Sequence, residues 1–186
     1  MASEPIYKVF VSSTFEDLRE ERAEVQKALL KLNCMPVGME LFPAADDDTW
    51  DFIKEQINDS DYYVVLVSGR YGSLAPDGVS FAEKEYDYAR ERGVPSIGFV
   101  HGDRSAIPFG KAENNPELLK KLDAFISKIR SRPVRTFLSP HLLAEEVTTS
   151  FIDLKRTKRR TGFVRTDEVV EYKKYAELLE KVAYFI

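Results

Sequence analysis

Cysteine and histidine are scarce in the 186-residue sequence, which contains only Cys34, His101 and His141 of these types. A single cysteine excludes an internal disulfide framework and fits a reducing compartment. The two histidines are far apart and lack metal-ligand spacing, so we expect no metal site and no bound cofactor. The acidic run at residues 46–48 lacks the glycine and distal glutamate of a calcium loop, which favours helix capping as its role.

Long apolar runs and an excess of positive charge are also missing. No segment approaches the roughly 20 apolar residues of a transmembrane helix. The first residues have neither the basic start nor the apolar region of a secretory signal. A formal net charge of −4 does not favour attraction to nucleic acid or to an anionic membrane. We therefore expect a cytoplasmic protein that binds neither.

Three common catalytic motifs are absent. The sequence has no G-x-S-x-G nucleophile elbow, no Walker phosphate loop and no G-x-G-x-x-G after a strand. These absences argue against a serine hydrolase of the α/β type, a P-loop NTPase and a dinucleotide-dependent oxidoreductase.

The remaining sequence is arranged around residues 61–100. Residues 62–67 form a continuous valine-rich apolar run, typical of a strand buried on both faces of a parallel sheet. A glycine-rich loop follows. Ser80 and Glu83 then form a capping box that predicts the start of a helix, and another strand ends near Val100.

One charged residue of this helix lies on its apolar side. At 100° per residue, Glu85 falls with Phe81, Ala82, Tyr86 and Ala89, away from the charged face. Burial of a carboxylate is costly unless it is hydrogen-bonded or paired. Glu85 is also near the helix start, and therefore at the carboxyl edge of the preceding strand, where open parallel sheets bind ligands. A structural partner and a catalytic role both remain open for it.

Predicted strands and helices alternate along the chain. This pattern predicts an α/β fold, with a doubly wound sheet of about five parallel strands and flanking helices. The other predicted strands are residues 7–11, 36–42 and 134–138, and the other predicted helices include residues 15–31, 116–130 and about 140–154. Ser13 or Thr14 is expected to cap the first helix.

Arg22 is a second charge within an apolar stripe, that of the first helix. The favoured interpretation is that its stem packs in the core and its guanidinium pairs with Glu40 or Asp61.

Three segments together resemble one family: VFVSSTFEDLREER at residues 9–22, SDYYVVLVSGRYGS at 60–73 and SFAEKEYDYA at 80–89. They are similar to DUF4062 domains, which are related to Toll/interleukin-1 receptor (TIR) domains and are usually found at the N-terminus of larger signalling NTPases. The resemblance implies a flavodoxin-like TIR fold for residues 1–156. Residues 157–186 are expected to be a linker and an amphipathic helix that leads to a further C-terminal region.

The same resemblance implies a role in sensing or innate defence, including anti-phage defence. Enzymatic TIR domains cleave the nicotinamide–ribose bond of NAD through a glutamate early in the corresponding helix, within a Glu-x-x-x-Ala pattern. Glu85 and Ala89 reproduce this pattern, whereas Phe81 stands where those enzymes commonly have tryptophan. Glu85 is therefore the candidate catalytic residue.

Candidate substrate-binding residues belong to loops expected at the same sheet edge: Ser12, Ser13, Thr14, Phe42, Arg70 and Tyr71. Hydroxyls, the backbone amides near Gly69 and Gly72, and the Arg70 guanidinium suit phosphates, and the two aromatic rings suit stacking. Structural roles are open for the same residues, since Arg70 can pair with Glu83 or Asp87 and Tyr71 can belong to the core.

Three functions are consistent with the sequence. The first is an effector domain that hydrolyses NAD to nicotinamide and ADP-ribose when the parent protein oligomerises. The second is a non-catalytic module that self-associates or docks partners through TIR-like surfaces. The third is a sensor that binds NAD or a related nucleotide without cleaving it.

Overall fold

The computed structural model describes residues 4–38, 49–132 and 134–164. Five strands alternate with five helices. The strands are β1 (Tyr7–Ser13), β2 (Cys34–Val37), β3 (Tyr62–Val67), β4 (Ser96–His101) and β5 (Val134–Phe137). The helices are α1 (Arg19–Lys31), α2 (Thr49–Asn58), α3 (Phe81–Glu91), α4 (Pro116–Arg130) and α5 (Pro140–Thr157).

The five strands form one parallel sheet in the order β2-β1-β3-β4-β5. This confirms the predicted fold class. β3 is the central strand, and all six of its residues are buried, as its continuous apolar run predicts. The order reverses between β1 and β3, so a crevice at the carboxyl ends of these two strands is the expected ligand site of such a sheet.

Alternate residues of β3 contribute to two separate cores, one on each face of the sheet. Tyr63, Val65 and Val67 pack with α2, α3 and α4. Tyr62, Val64 and Leu66 pack with α1 and α5. Since successive side chains of a strand point to opposite faces, the single run at 62–67 anchors both helical layers.

The local sequence signals for α3, α4 and α5 are confirmed. Ser80 Oγ accepts a hydrogen bond from Glu83 N at 3.2 Å. Ser139 caps α5 in the same way, with Pro140 at its first position. The α4 bounds match the prediction, and α5 continues three residues beyond it to Thr157.

The start of the first helix was predicted wrongly. α1 begins at Arg19 instead of residue 15, and Leu18 at its N-cap position makes no side-chain capping bond. Thr14 instead donates its hydroxyl to Asp17, and Phe15 is half exposed. Residues 15–18 therefore form a bend, because Asp17 bonds elsewhere, as described below.

The second strand begins two residues earlier than predicted, at Cys34. Pro36 lies inside it. β2 is an edge strand that pairs only with β1 among the described residues, and an edge strand tolerates the missing N–H of proline. Residues 39–42 of the predicted strand lie outside the described residues, as does the predicted linker and helix segment at 157–186 beyond residue 164.

After α5 the chain returns to the amino-terminal edge of the sheet. Ile6 and Phe163 exchange two backbone hydrogen bonds of 2.9 and 2.7 Å. Gly162 N donates to Asp61 Oδ1 at 3.3 Å. Among the described helices, none is long and apolar enough to cross a membrane.

Candidate active site

Glu85 is buried at the point where α3 meets the carboxyl end of β1. The side chain is 3% exposed, and Ser12 donates its hydroxyl to Glu85 Oε2 at 2.5 Å. Ser12 itself is buried near the end of β1. The predicted position of Glu85 on the buried side of its helix is therefore correct, and its structural partner is a serine.

Burial dominates the electrostatics of this carboxyl group. It raises the pKa of Glu85 from 4.5 to about 7, although the Ser12 hydrogen bond and the positive charge of Arg22 act in the opposite direction. Desolvation penalises the charged form of an acid, whereas a donor or a cation favours it. Near neutral pH Glu85 is therefore present both as an acid and as a carboxylate, which suits a group that must change its protonation state during a reaction.

Arg22 supplies the positive charge behind the site. The guanidinium is buried, and Nη1 donates to Ser13 Oγ at 2.7 Å and to Ser13 O at 3.3 Å. The predicted pairing with Asp61 is wrong, because Asp61 lies at the opposite edge of the sheet and accepts from Lys8 N at 3.0 Å. Glu40, the other predicted partner, lies outside the described residues.

The buried hydroxyl of Tyr63 interacts electrostatically with Glu85. Its side chain is fully buried, and its hydroxyl has no hydrogen-bond partner in the part of the chain that the structure describes. Burial holds the pKa of Tyr63 well above its ordinary value, with a further contribution from the negative charge of Glu85 and an opposing one from Ser12. Tyr63, Ser12 and Glu85 are thus three interacting polar side chains in an otherwise apolar region.

A cleft of about 620 Å³ opens beside Glu85 at the carboxyl edge of the sheet. It lies at the expected topological switch point. Its lining residues come from the β1–α1 bend, the β3–α3 loop, the start of α3 and the segment around α4: Ser13, Thr14, Phe15, Glu16, Asp17, Arg70, Gly72, Ser73, Phe81, Ala82, Glu85, Glu113 and Leu118.

Asp17 joins two walls of this cleft. Its Oδ2 accepts from Gly69 N and Arg70 N, each at 3.2 Å, and its Oδ1 accepts from the Thr14 hydroxyl. The side chain is 2% exposed, and burial raises the pKa of Asp17 against the effect of these hydrogen bonds. The expectation that the Gly69 amide is available to a phosphate is wrong, because a carboxylate of the same chain occupies it.

Thr14 also packs closely against the loop that follows β3. Gly72 has φ +93°, and a Cβ at this position would lie 2.7 Å from Thr14 Cγ2. A side chain at residue 72 would therefore be strained by its backbone conformation and would clash with the opposite wall. Thr14 and Gly72, which both line the cleft, are therefore in close contact.

Arg70 is part of the cleft wall and pairs with neither predicted acid. Its Nη1 lies 2.5 Å from Glu16 Oε2, and its Nη2 donates to Gly110 O at 2.8 Å. Glu83 and Asp87, the partners considered from the sequence, both bind Lys128 instead.

The structure brings together four of the predicted site residues as cleft lining: Ser13, Thr14, Arg70 and Glu85. Ser12 lies behind them, bonded to Glu85. Tyr71 is 2% exposed in the core, with its hydroxyl donating to Glu83 Oε2 at 2.6 Å, and it is not part of the cleft lining. Phe42 lies outside the described residues.

Sequence reasoning missed Asp17 as a structural acceptor and Glu113 as a cleft residue. Glu113 comes from the loop before α4, and its Oε2 accepts from Tyr71 N at 3.4 Å. In the sequence, Asp17 stands three residues after Thr14, where it is expected only as the capping-box partner of that residue. No local pattern distinguishes Glu113 from an exposed loop acid, since both contacts join residues distant in sequence.

The family model described as a domain of unknown function, DUF4062, matches residues 8–152. The chain is also similar to the TIR domains of the activated Roq1 resistosome, which directly recognises the pathogen effector XopQ. That match has a TM-score of 0.54 and 13% identity, and it covers 78% of this chain and 99% of the other. The RPS4 and RRS1 TIR domain heterodimer matches with a TM-score of 0.50 and 17% identity, over 80% and 97% of the two chains.

A CMP N-glycosidase of Clostridium botulinum, BcmB, is another similar structure, with a TM-score of 0.48 and 11% identity over 77% of this chain and 98% of that one. Among curated proteins, none has a sequence that matches this chain. At 13% and 17% identity, the two TIR-domain matches show that the chain shares the fold of TIR domains, and they show the fold alone.

Proposed function

Since the chain belongs to the DUF4062 family and has a TIR-like fold, we propose that it is an effector domain that hydrolyses NAD to nicotinamide and ADP-ribose when its parent protein oligomerises. The proposal includes a cytoplasmic location and a role in sensing or innate defence, including anti-phage defence, as the resemblance to TIR domains implies. The observation that carries it is the Glu85 carboxyl group, buried and bonded to Ser12 beside a cleft of about 620 Å³.

Glu85 has properties that suit cleavage of an N-glycosidic bond. When the bond between ribose and nicotinamide breaks, its electron pair leaves on the ring nitrogen and positive charge develops on the sugar. A carboxylate close to the sugar stabilises that charge or attacks the anomeric carbon. Ser12 holds this carboxylate by a hydrogen bond, and the positive charge of Arg22 favours its ionised form.

The first prediction concerns Glu85→Gln in the full chain, clustered on a multivalent support. We expect nicotinamide release at pH 8 to fall by about 100-fold or more, because the neutral amide cannot stabilise the developing positive charge. At this pH most of the wild-type group is ionised, since its pKa is about 7. Release is measured by chromatography of the reaction mixture.

Glu91→Gln is the matched control, since Glu91 is an exposed residue at the other end of the same helix. It should retain wild-type activity. The proposal fails if clustered wild-type protein consumes no NAD, or if Glu85→Gln releases nicotinamide at the wild-type rate.

Self-association without catalysis is the second candidate function. The burial of Glu85 and its bond to Ser12 also suit a purely structural carboxyl group, and α5 exposes Leu142 and Ile152. In that case Glu85→Gln alters stability alone, and substitution of both exposed apolar residues by serine weakens concentration-dependent association in sedimentation velocity. Turnover of NAD by the isolated domain would contradict this function.

A further inference from the structure

The cleft beside Glu85 carries an excess of negative charge. Four of its lining residues are acidic, namely Glu16, Asp17, Glu85 and Glu113, and Arg70 is the one lysine or arginine among the described residues that line it. NAD carries two phosphates near its scissile bond. Like charges brought together in a confined cleft oppose binding, and opposite charges favour it.

The single arginine is already neutralised by its own chain. Arg70 forms an ion pair with Glu16 and donates its other terminal nitrogen to Gly110 O. A phosphate would have to displace the Glu16 carboxylate to gain a charged partner, and it would then lie beside that carboxylate.

Backbone donors around the cleft are also largely occupied. The amides of Gly69 and Arg70 donate to Asp17. At the amino end of α3, Phe81 N donates to Ser73 O and Glu83 N donates to Ser80 Oγ. Asp17 therefore occupies the loop amides that would otherwise be suitable phosphate donors.

The chain segment at 39–48 offers no lysine or arginine that could offset this negative charge. It lies outside the described residues, and its sequence contains Glu40 and the aspartates at 46–48 but no lysine or arginine. It follows β2, the strand next to β1. It has no basic side chain with which to hold a phosphate.

We infer that this cleft selects a positively charged or neutral N-riboside without phosphate, and that nicotinamide riboside is a better substrate for it than NAD. The inference rests on the proposed hydrolysis at Glu85. Nicotinamide riboside keeps the scissile bond and the cationic ring of NAD and lacks its phosphates. In the reaction the C1′–N bond breaks with its electron pair on the ring nitrogen, a water oxygen bonds to C1′, and the water proton passes to solvent.

The test compares nicotinamide riboside, its 5′-monophosphate and NAD as substrates of the clustered full chain at pH 8. We expect kcat/KM for nicotinamide release to fall in that order, with the riboside preferred over NAD by about tenfold or more at low salt. Added salt should reduce the preference, because it screens repulsion between the cleft and phosphate. Equal or better cleavage of NAD would overturn the inference and leave the hydrolysis proposal standing.

Two variants test whether the negative charge of the cleft causes the preference for nicotinamide riboside over NAD. Glu16→Gln removes a carboxylate and releases Arg70 from its ion pair, so the preference for the riboside over NAD should fall severalfold. Glu117→Gln is the control, because Glu117 is exposed at the start of α4 and is not part of the cleft lining. An unchanged preference in Glu16→Gln would contradict the inference.

If no substrate is cleaved, the hydrolysis proposal itself fails. Titration calorimetry still tests the inference, because it measures how tightly each compound binds. Tighter binding of nicotinamide riboside than of NAD or ADP-ribose supports the proposed charge selection. Tighter binding of either phosphate compound, or no binding of the riboside, overturns it.

Discussion

Two buried acids at the same sheet edge have different roles because of what surrounds each one. Asp17 accepts from two backbone amides and a hydroxyl. Glu85 is bonded to Ser12 beside the cleft, and burial raises its pKa to about 7. Asp17, which accepts more hydrogen bonds, holds loops together. Glu85, which accepts fewer, has the properties of a reacting group.

The raised pKa of Glu85 predicts that this residue destabilises the fold at high pH. Between pH 4.5 and about 7 the folded protein retains a proton that the unfolded chain has lost, so the free energy of unfolding falls as pH rises through this range. A pKa raised from 4.5 to about 7 corresponds to about 3 kcal/mol. Glutamine does not titrate, so Glu85→Gln should gain up to that amount relative to wild type between pH 4.5 and pH 8.

Urea unfolding of both proteins at pH 4.5, 6 and 8 measures this difference. Using the difference between variants removes the contribution of other titrating groups that the two proteins share. Parallel pH profiles would show that Glu85 has an ordinary pKa in the folded state.

The bend between β1 and α1 is the element that shapes the cleft. It places Asp17 against the amides at the start of the β3–α3 loop and Thr14 against Gly72. α1 consequently begins at Arg19. The Asp17 side chain joins two loops, across a separation of 52 residues in sequence between Asp17 and Gly69.

Asp17→Asn tests this element. Asparagine retains one acceptor oxygen, but an NH2 group replaces the second oxygen. The substitution also removes the negative charge that strengthens these hydrogen bonds. We expect the free energy of unfolding to fall by about 1–3 kcal/mol, as measured by urea denaturation. Asp153→Asn, an exposed position on α5, is the control and should change stability by less than about 0.5 kcal/mol. Equal effects of the two substitutions would contradict the proposed role of Asp17 in holding the two loops together.

At the scale of the molecule, the cleft and the contacts of Asp61 lie at opposite edges of the sheet. The cleft lies at the carboxyl ends of the strands. At the amino ends, Asp61 accepts from Lys8 N on β1 and from Gly162 N on the segment after α5. The described segment after α5, at residues 158–164, is thereby attached to the edge of the sheet opposite the cleft.

Asp61→Asn tests this attachment. An asparagine amide in place of either oxygen faces a backbone donor, so we expect a loss of about 1–2 kcal/mol in the free energy of unfolding. Asp59→Asn is the control, because Asp59 is 70% exposed and lies 3.9 Å from Lys8 Nζ, and it should cost less than about 0.5 kcal/mol. Nicotinamide release per folded molecule should be unchanged in both. A loss of activity in Asp61→Asn alone would contradict the separation of the two edges.

The order of elements, the parallel sheet and the unusual position of Glu85 follow from the sequence, because apolar periodicity and capping are local properties. Ser80 with Glu83, Ser139 with Pro140 and the run at 62–67 each specify their element within a few residues. The tertiary structure decided which donors remain available at the cleft. Asp17 bonding to Gly69, Glu16 pairing with Arg70, and Tyr71 entering the core each depend on contacts between distant segments. A local pattern does not encode such contacts, because they exist only once the loops meet at the sheet edge.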